Sequence, residues 1–234
     1  MNWGFPENVS LLGDRIDATY GAIFWATLLM FVVVQGLLLY CIIRFRARPG
    51  RRATPIHGNT RLEIAWTVVP FLGVAFLAWV SVSVWLDLKS AERIPANTYE
   101  VAVHAKQFEW NVTYPGPDGV LGTADDVTGR NQIHVPVDRP VRVILTAQDV
   151  IHSFFLPNLR VKQDAVPGMT IPVWFQATRP GEYVLGCAEL CGLGHYRMRG
   201  TLIVHSPQSF ETWQRTGGAP TAAADLRPST VASR

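Results

Sequence analysis

The sequence predicts a pair of membrane-spanning helices followed by a small all-β domain built as a sandwich or barrel. Three observations carry that prediction. No charged residue occurs from Ala18 to Ile43, nor again from Ile64 to Leu86. From about Ala96 to Ser206, short runs rich in β-branched and aromatic residues alternate with Gly and Pro, the pattern of strands separated by turns. The chain of 234 residues is 48% hydrophobic and 17% charged, too apolar for a soluble protein of ordinary composition.

Taken in order, residues 1–17 carry Glu7, Asp14 and Asp17 against Arg15 alone. They lack the basic leading region of a signal peptide and form an extracytoplasmic N-terminal segment. At a rise of about 1.5 Å per residue, the spans 18–43 and 64–86 each exceed the roughly 30 Å of hydrocarbon in a bilayer. Between them, residues 44–63 hold Arg44, Arg46, Arg48, Arg51, Arg52 and Arg61, with no acidic residue before Glu63. By the positive-inside rule this loop is cytoplasmic, so the N-terminus and everything after Leu86 face the outside. The formal net charge of +3 sits largely in this loop and gives no reason to expect nucleic acid as a partner.

Residues 96–206 supply the strand candidates "TYEVAVHAKQFEWNVTY", "IHVPVDRPVRVILTAQD", "TIPVWFQA", "GEYVLGC" and "GTLIVH". Several such runs in one short domain predict a small antiparallel sandwich or barrel. "PGPDGVLGTADD", residues 115–126, reads as a surface loop; its Asp118, Asp125 and Asp126 are spaced unlike an EF-hand. Residues 207–234 read as a largely disordered Ala, Thr, Ser and Pro tail after a short helix around Phe210–Gln214.

Chemistry concentrates in "GCAELCGLGHYRM", residues 186–198. A Cys187–Cys191 disulfide would suit an oxidising compartment, yet would leave His195 and Met198 without a role. Thiolate, imidazole and thioether are the donors that copper selects, and His152 in "DVIHSFFLP", placed at the end of an apolar strand, offers a second imidazole. A mononuclear blue-copper site needs only His152, Cys191, His195 and Met198. Two thiolates in C-x-E-x-C spacing can instead bridge two metals, which uses every donor.

These motifs, with "HSFFLPNLRVKQDAVPG" and "LEIAWTVVP", closely resemble subunit II of the haem-copper cytochrome c oxidases over nearly the whole chain. The resemblance implies a cupredoxin-like Greek-key domain on a two-helix anchor, in the inner membrane of a bacterium with that domain periplasmic. It implies a binuclear copper (CuA-type) centre in which Cys187 and Cys191 bridge both coppers. His195 and the Glu189 carbonyl would complete one ion, His152 and Met198 the other. The Glu189 carboxylate would reach towards magnesium or manganese at the interface with subunit I, near Lys162 and Asp164. Glu63 would sit at the mouth of a proton-uptake channel.

The implied activity is that of a cytochrome c oxidase subunit: electrons pass from cytochrome c to haem in subunit I, where oxygen is reduced to water and protons are pumped. This chain itself holds no haem and no residue for the oxygen chemistry, and its other partners are further oxidase subunits and lipid. The family's aromatic run Q-W-x-W is here "QFEW". Phe108 therefore takes the place of the tryptophan at which electrons arrive, and Trp110 is retained. Two alternatives share the copper motif: the copper subunit of a nitric oxide reductase, and a membrane-tethered copper-binding cupredoxin. No C-x-x-C-H haem attachment site occurs. His57, His104, His134 and His205 lack a second ligand at useful spacing and read as surface or hydrogen-bonded histidines.

Overall fold

Both uncharged runs form long helices, α1 (Gly13–Arg44) and α2 (Thr60–Lys89). The computed structural model describes residues 4–90, 93–95 and 97–217. Each helix carries an acidic residue in its first turn, Asp14 or Glu63, and a basic one in its last, Arg44 or Lys89. Those charges complement the helix dipole. The Asn59 side chain caps α2 by accepting from the Leu62 N–H at 3.2 Å. Pro70 lies inside α2, which continues without a break. An ion pair between Arg15 and Asp87 ties the start of α1 to the end of α2, so the two run as an antiparallel hairpin. Their apolar side chains are exposed along the length of both helices, as lipid-facing surfaces are.

Residues after Asp87, with those before Arg15, form a separate unit, a cupredoxin-like Greek-key sandwich. Its strands are β1 (Tyr99–Lys106), β2 (Glu109–Tyr114), β3 (Val127–Arg130), β4 (Gln132–Pro136), β5 (Val141–Ala147), β6 (His152–Leu156), β7 (Val161–Ala165), β8 (Ile171–Phe175), β9 (Gly181–Cys187) and β10 (Arg199–His205). One sheet has the order β3-β2-β1-β5-β8, the other β4-β10-β9-β6-β7. Alternation fixes which face is inside: Val101, Val103 and Ala105 of β1, and Val141, Val143 and Leu145 of β5, are buried while their neighbours are not.

The sheets are mixed rather than antiparallel, which corrects the sequence expectation. β1 pairs with β5 in parallel, and β10 with β4. Each partner is reached by a crossover through the opposite sheet, and such pairings leave no hairpin signal in the sequence.

Two further segments pack on the sandwich. The stretch before α1 hydrogen-bonds to it. Val9 is fully buried; its N–H donates to the Asn158 carbonyl at 3.0 Å and its carbonyl accepts from Thr178 at 2.9 Å. Beyond β10, the chain forms α3 (Pro207–Arg215), capped by the Ser206 hydroxyl, with Phe210 and Trp213 buried against the core. The expected tail therefore begins with a packed helix, and residues 218–234 lie outside the described residues.

Candidate metal centre

The sandwich gathers the predicted donors at one end. His152 opens β6 rather than closing a strand, and Cys187 closes β9. These strands are hydrogen-bonded neighbours, with Phe154 opposite Cys187. The loop between β9 and β10 is held by the Cys187 N–H donating to the Met198 carbonyl at 3.1 Å, and by a short 3-10 turn over His195–Arg197. The Ala188 N–H donates to the Ser153 carbonyl at 3.0 Å, tying the loop to β6.

Four further donor groups converge on the two cysteine sulfurs, making a set of six. Cys187 Sγ lies 3.8 Å from Cys191 Sγ, 4.0 Å from His152 Nδ1 and 3.2 Å from the Glu189 carbonyl oxygen. Cys191 Sγ lies 3.5 Å from His195 Nδ1 and 3.7 Å from Met198 Sδ. Both cysteines are free thiols. His152, Cys191 and Met198 are buried; Cys187 and His195 are half-buried. Two thiols, two imidazoles, a thioether and a carbonyl are a donor set for copper and a poor one for a hard cation.

The groups behind these donors include two that the sequence did not single out. Asp149 Oδ1 accepts from His152 Nε2 at 2.8 Å. Because a carboxylate only accepts, the proton sits on Nε2 and the Nδ1 lone pair faces the sulfurs. Burial opposes ionisation of Asp149, but hydrogen bonds from the Gln107 N–H, from His152 and from the Val150 N–H outweigh it and hold the carboxyl at about 2. The Gln107 amide also donates to the Cys191 carbonyl. Its contacts with Asp149 and Cys191 span 42 and 84 residues of sequence, so no local motif marks either residue. Burial, with the adjacent Cys187 thiol adding to it, pushes the Cys191 thiol up to about 11. Metal loading must therefore expel protons from this pair.

Phe108 covers the loop. A Cβ on Gly194 would lie 2.4 Å from Phe108 Cδ2, and one on Gly192, at φ +128°, would lie 2.6 Å from Gln107 Nε2. Both positions are glycine because the β1–β2 turn presses on them. Gly194→Ala is expected to cost about 1–3 kcal/mol through overpacking, whereas Gly186→Ala, which meets nothing within 4 Å, stays within about 0.5 kcal/mol. Thermal unfolding of the two full-length variants checks the difference.

Trp110 is not a surface residue. It is fully buried, with its ring 6.3 Å from that of His152 and 5.8 Å from Phe154. Leu190, Leu193 and Tyr196 are the exposed apolar side chains on the ligand loop, at 78%, 97% and 79% exposure.

The Glu189 carboxylate is exposed and belongs to no group of three or more His, Cys, Asp or Glu donors among the described residues. Lys162 pairs with Asp164 at 3.4 Å, and Asp164 accepts from the Ser153 hydroxyl. Glu63 is exposed in the first turn of α2. In the 115–126 loop, Asp118, Asp125 and Asp126 accept from backbone N–H groups of the loop itself.

Residues 102–206 match the family described as the periplasmic domain of cytochrome c oxidase subunit II, and residues 1–84 match its transmembrane domain. The chain is 33% identical to an alternative cytochrome c oxidase subunit 2 of Bradyrhizobium diazoefficiens, over 91% of this chain and 80% of that one. It is 30% identical to cytochrome c oxidase subunit 2 of a Synechocystis species, over 89% and 74%. The crystal structure of the periplasmic domain of subunit II of cytochrome oxidase from Bradyrhizobium japonicum aligns with a TM-score of 0.48 at 30% identity, covering 53% of this chain and 96% of that one. With the matched regions spanning both the helical hairpin and the sandwich, the chain belongs to the family of subunit II of the cytochrome c oxidases.

Proposed function

We propose that this chain is the electron-accepting subunit of a bacterial respiratory cytochrome c oxidase. The observation that carries this reading is the convergence of four further donors on the Cys187–Cys191 pair, with separations within the set of six from 3.2 to 4.0 Å. Cys187 and Cys191 would bridge two copper ions, with His195 and the Glu189 carbonyl completing one and His152 and Met198 the other. Copper held there supplies one-electron redox chemistry between cytochrome c and haem in subunit I.

The protein's own part is to hold donors still. Strand ends and the clamped loop fix the ligands, Asp149 fixes the His152 ring, and Gln107 fixes the Cys191 carbonyl. A rigid site of this kind changes little between redox states. Cytochrome c would meet the apolar rim of Leu190, Leu193 and Tyr196, with Phe108 beside the loop. Glu189 would offer one oxygen to a magnesium or manganese ion whose remaining ligands come from subunit I. Reduction of oxygen to water and proton pumping would belong to the partner subunits, with Glu63 at the mouth of the proton-uptake path.

The protein is a membrane protein by its family and its two spans. Two crossings place the segment around Val9 and the strand at Tyr99 on the same side of the membrane. The arginine-rich loop supports a periplasmic side for both, by the positive-inside rule. The test is copper loading of the full-length chain in detergent. Two coppers per chain, with one unpaired electron shared equally between them, is the expected result. A single copper with a blue-site spectrum, or a Cys187–Cys191 disulfide that refuses copper after reduction, would overturn the reading.

A further inference from the structure

A second cavity lies at the other end of the sandwich from the metal centre. Tyr99 and Val141 stand at one end of the β1/β5 pair, and Ala105 and Ala147 at the other, about 20 Å away at the rise of a strand. The cavity has a volume of about 870 Å³ and is lined by Tyr99, Glu100, Arg139, Arg142, Trp213 and Arg215, among others. That volume is in the range of pockets for small organic molecules.

Charge and hydrogen-bonding capacity in this cleft are unbalanced in one direction. Arg142 pairs with Glu100 at 3.1 Å, and Arg215 with Glu211 at 3.6 Å. Arg139 has no carboxylate partner among the described residues; its guanidinium lies over the Tyr99 ring, 5.3 Å from the centroid. Of the cleft's lining residues, three have a buried nitrogen with no hydrogen-bond partner among the described residues, Arg139 Nε, Arg142 Nε and Trp213 Nε1, and the buried Tyr99 hydroxyl, which can donate or accept, has none either. Trp213 as a whole is 2% exposed. Each of the three nitrogens can only donate. A buried donor without an acceptor costs on the order of 1–3 kcal/mol, so a group bringing acceptors and negative charge would relieve all three at once.

The remaining lining is mixed, with Thr98, Glu211 and Gln214 polar and a flat apolar part beside them. Pro115, Pro117 and Val127 line the cleft beside the aromatic rings of Tyr99, Tyr114 and Trp213. Guanidinium groups recognise carboxylate and phosphate through paired N–H donors, and flat apolar walls favour a ring or other planar body.

We infer that this cleft binds an organic anion, with a carboxylate or phosphate head against Arg139, Arg142 and the Trp213 indole N–H and a flat apolar body against the proline and aromatic walls. The site shares no lining residue with the donors of the metal centre. A ligand there would report on the oxidase subunit without touching its redox site.

The test uses the full-length chain in detergent, titrated calorimetrically with two probes: adenosine 5′-monophosphate and 1-naphthoate. Adenosine and inorganic phosphate serve as half-probes. Saturable binding of at least one probe, one molecule per chain, is expected, with each half-probe at least tenfold weaker. Arg139→Gln should weaken that binding tenfold or more. Trp213→Phe keeps an aromatic ring and removes the donor, and should weaken it about threefold to tenfold. Both variants should keep the parent's thermal midpoint to within a few degrees and its copper spectrum. Absence of saturable binding for both probes would overturn the proposal. So would affinities unchanged by Arg139→Gln in a folded variant, since binding would then lie elsewhere.

Discussion

Full-length chain carrying Cys191→Ser is expected to hold no more than one copper and to lose the signal of an electron shared between two ions. Cys191 Sγ is the hub of the donor set, within 3.5 Å of His195 Nδ1, 3.7 Å of Met198 Sδ and 3.8 Å of Cys187 Sγ. A serine hydroxyl at that position is a hard, weakly acidic donor that cannot replace a bridging thiolate. The residue is 97% buried, by its 3% exposure, so no solvent ligand compensates. Asp149→Asn tests the layer behind it. The amide also lets a donor face the His152 ring, the tautomer is no longer fixed, and copper affinity should fall on the order of 10–100-fold while both thiols remain. Metal analysis and electron paramagnetic resonance read both variants. A Cys191→Ser chain that retains two coppers and the parent spectrum would remove the bridging role from that residue.

Much of this protein is legible in its sequence because its strongest signals are compositional or local. Two uncharged runs become α1 and α2, whose observed bounds exceed the runs by about a turn at their starts and by three residues or fewer at their ends, because charged residues continue a helix into the headgroup region. The donors from Cys187 to Met198 fall within one loop, so their spacing carries the chemistry. What escapes is whatever depends on distant pairing. Val9 lies in a short, pattern-free segment whose hydrogen-bond partners are Asn158 and Thr178. Asp149 and Gln107 find their roles only when β1 and β5 run side by side in parallel. The placement of His152 at a strand's start rather than its end follows from pairing of β6 with β7 and β9, which the run of apolar residues around it does not encode. The alternation of β2 turns Trp110 inward, a consequence of pairing that the run "QFEW" does not itself encode. The capping signature of α3, Ser206 followed by Pro207, was present in the sequence, but the polar tail beyond it masks how much of the helix packs.

That same helix gives the second large expected effect, a loss of stability in mild acid that originates far from the metal donors. His134 Nδ1 and His205 Nε2 are 2.8 Å apart, and His205 Nδ1 is 3.0 Å from the Ser209 hydroxyl in α3. The Trp213 ring stacks on His134 at 4.7 Å with only 9° between the planes. The Tyr114 hydroxyl accepts from the His134 N–H and donates to the Gln132 carbonyl, and no carboxylate pairs with either imidazole among the described residues. Burial holds His134 down to about 4, with His205 adding to the effect, and burial lowers His205 as well. Unfolded histidines take up a proton near 6.5. Between that value and about 4 the unfolded chain thus binds more protons than the folded one, so stability is complete above about 6.5 and falls as the pH drops towards 4. Allowing for the partial exposure of His134, the loss is about 2 kcal/mol, enough to lower the melting temperature of this unit by several degrees. Thermal unfolding of the full-length chain followed by tryptophan fluorescence at pH 7.5, 5.5 and 4.5 measures it. His134→Gln should be less stable at pH 7.5 but lose distinctly less on acidification, because one of the two buried imidazoles is gone. If the variant and parent lose stability equally as pH falls, the acid sensitivity resides in the carboxylates and not in the stack of imidazoles beneath α3.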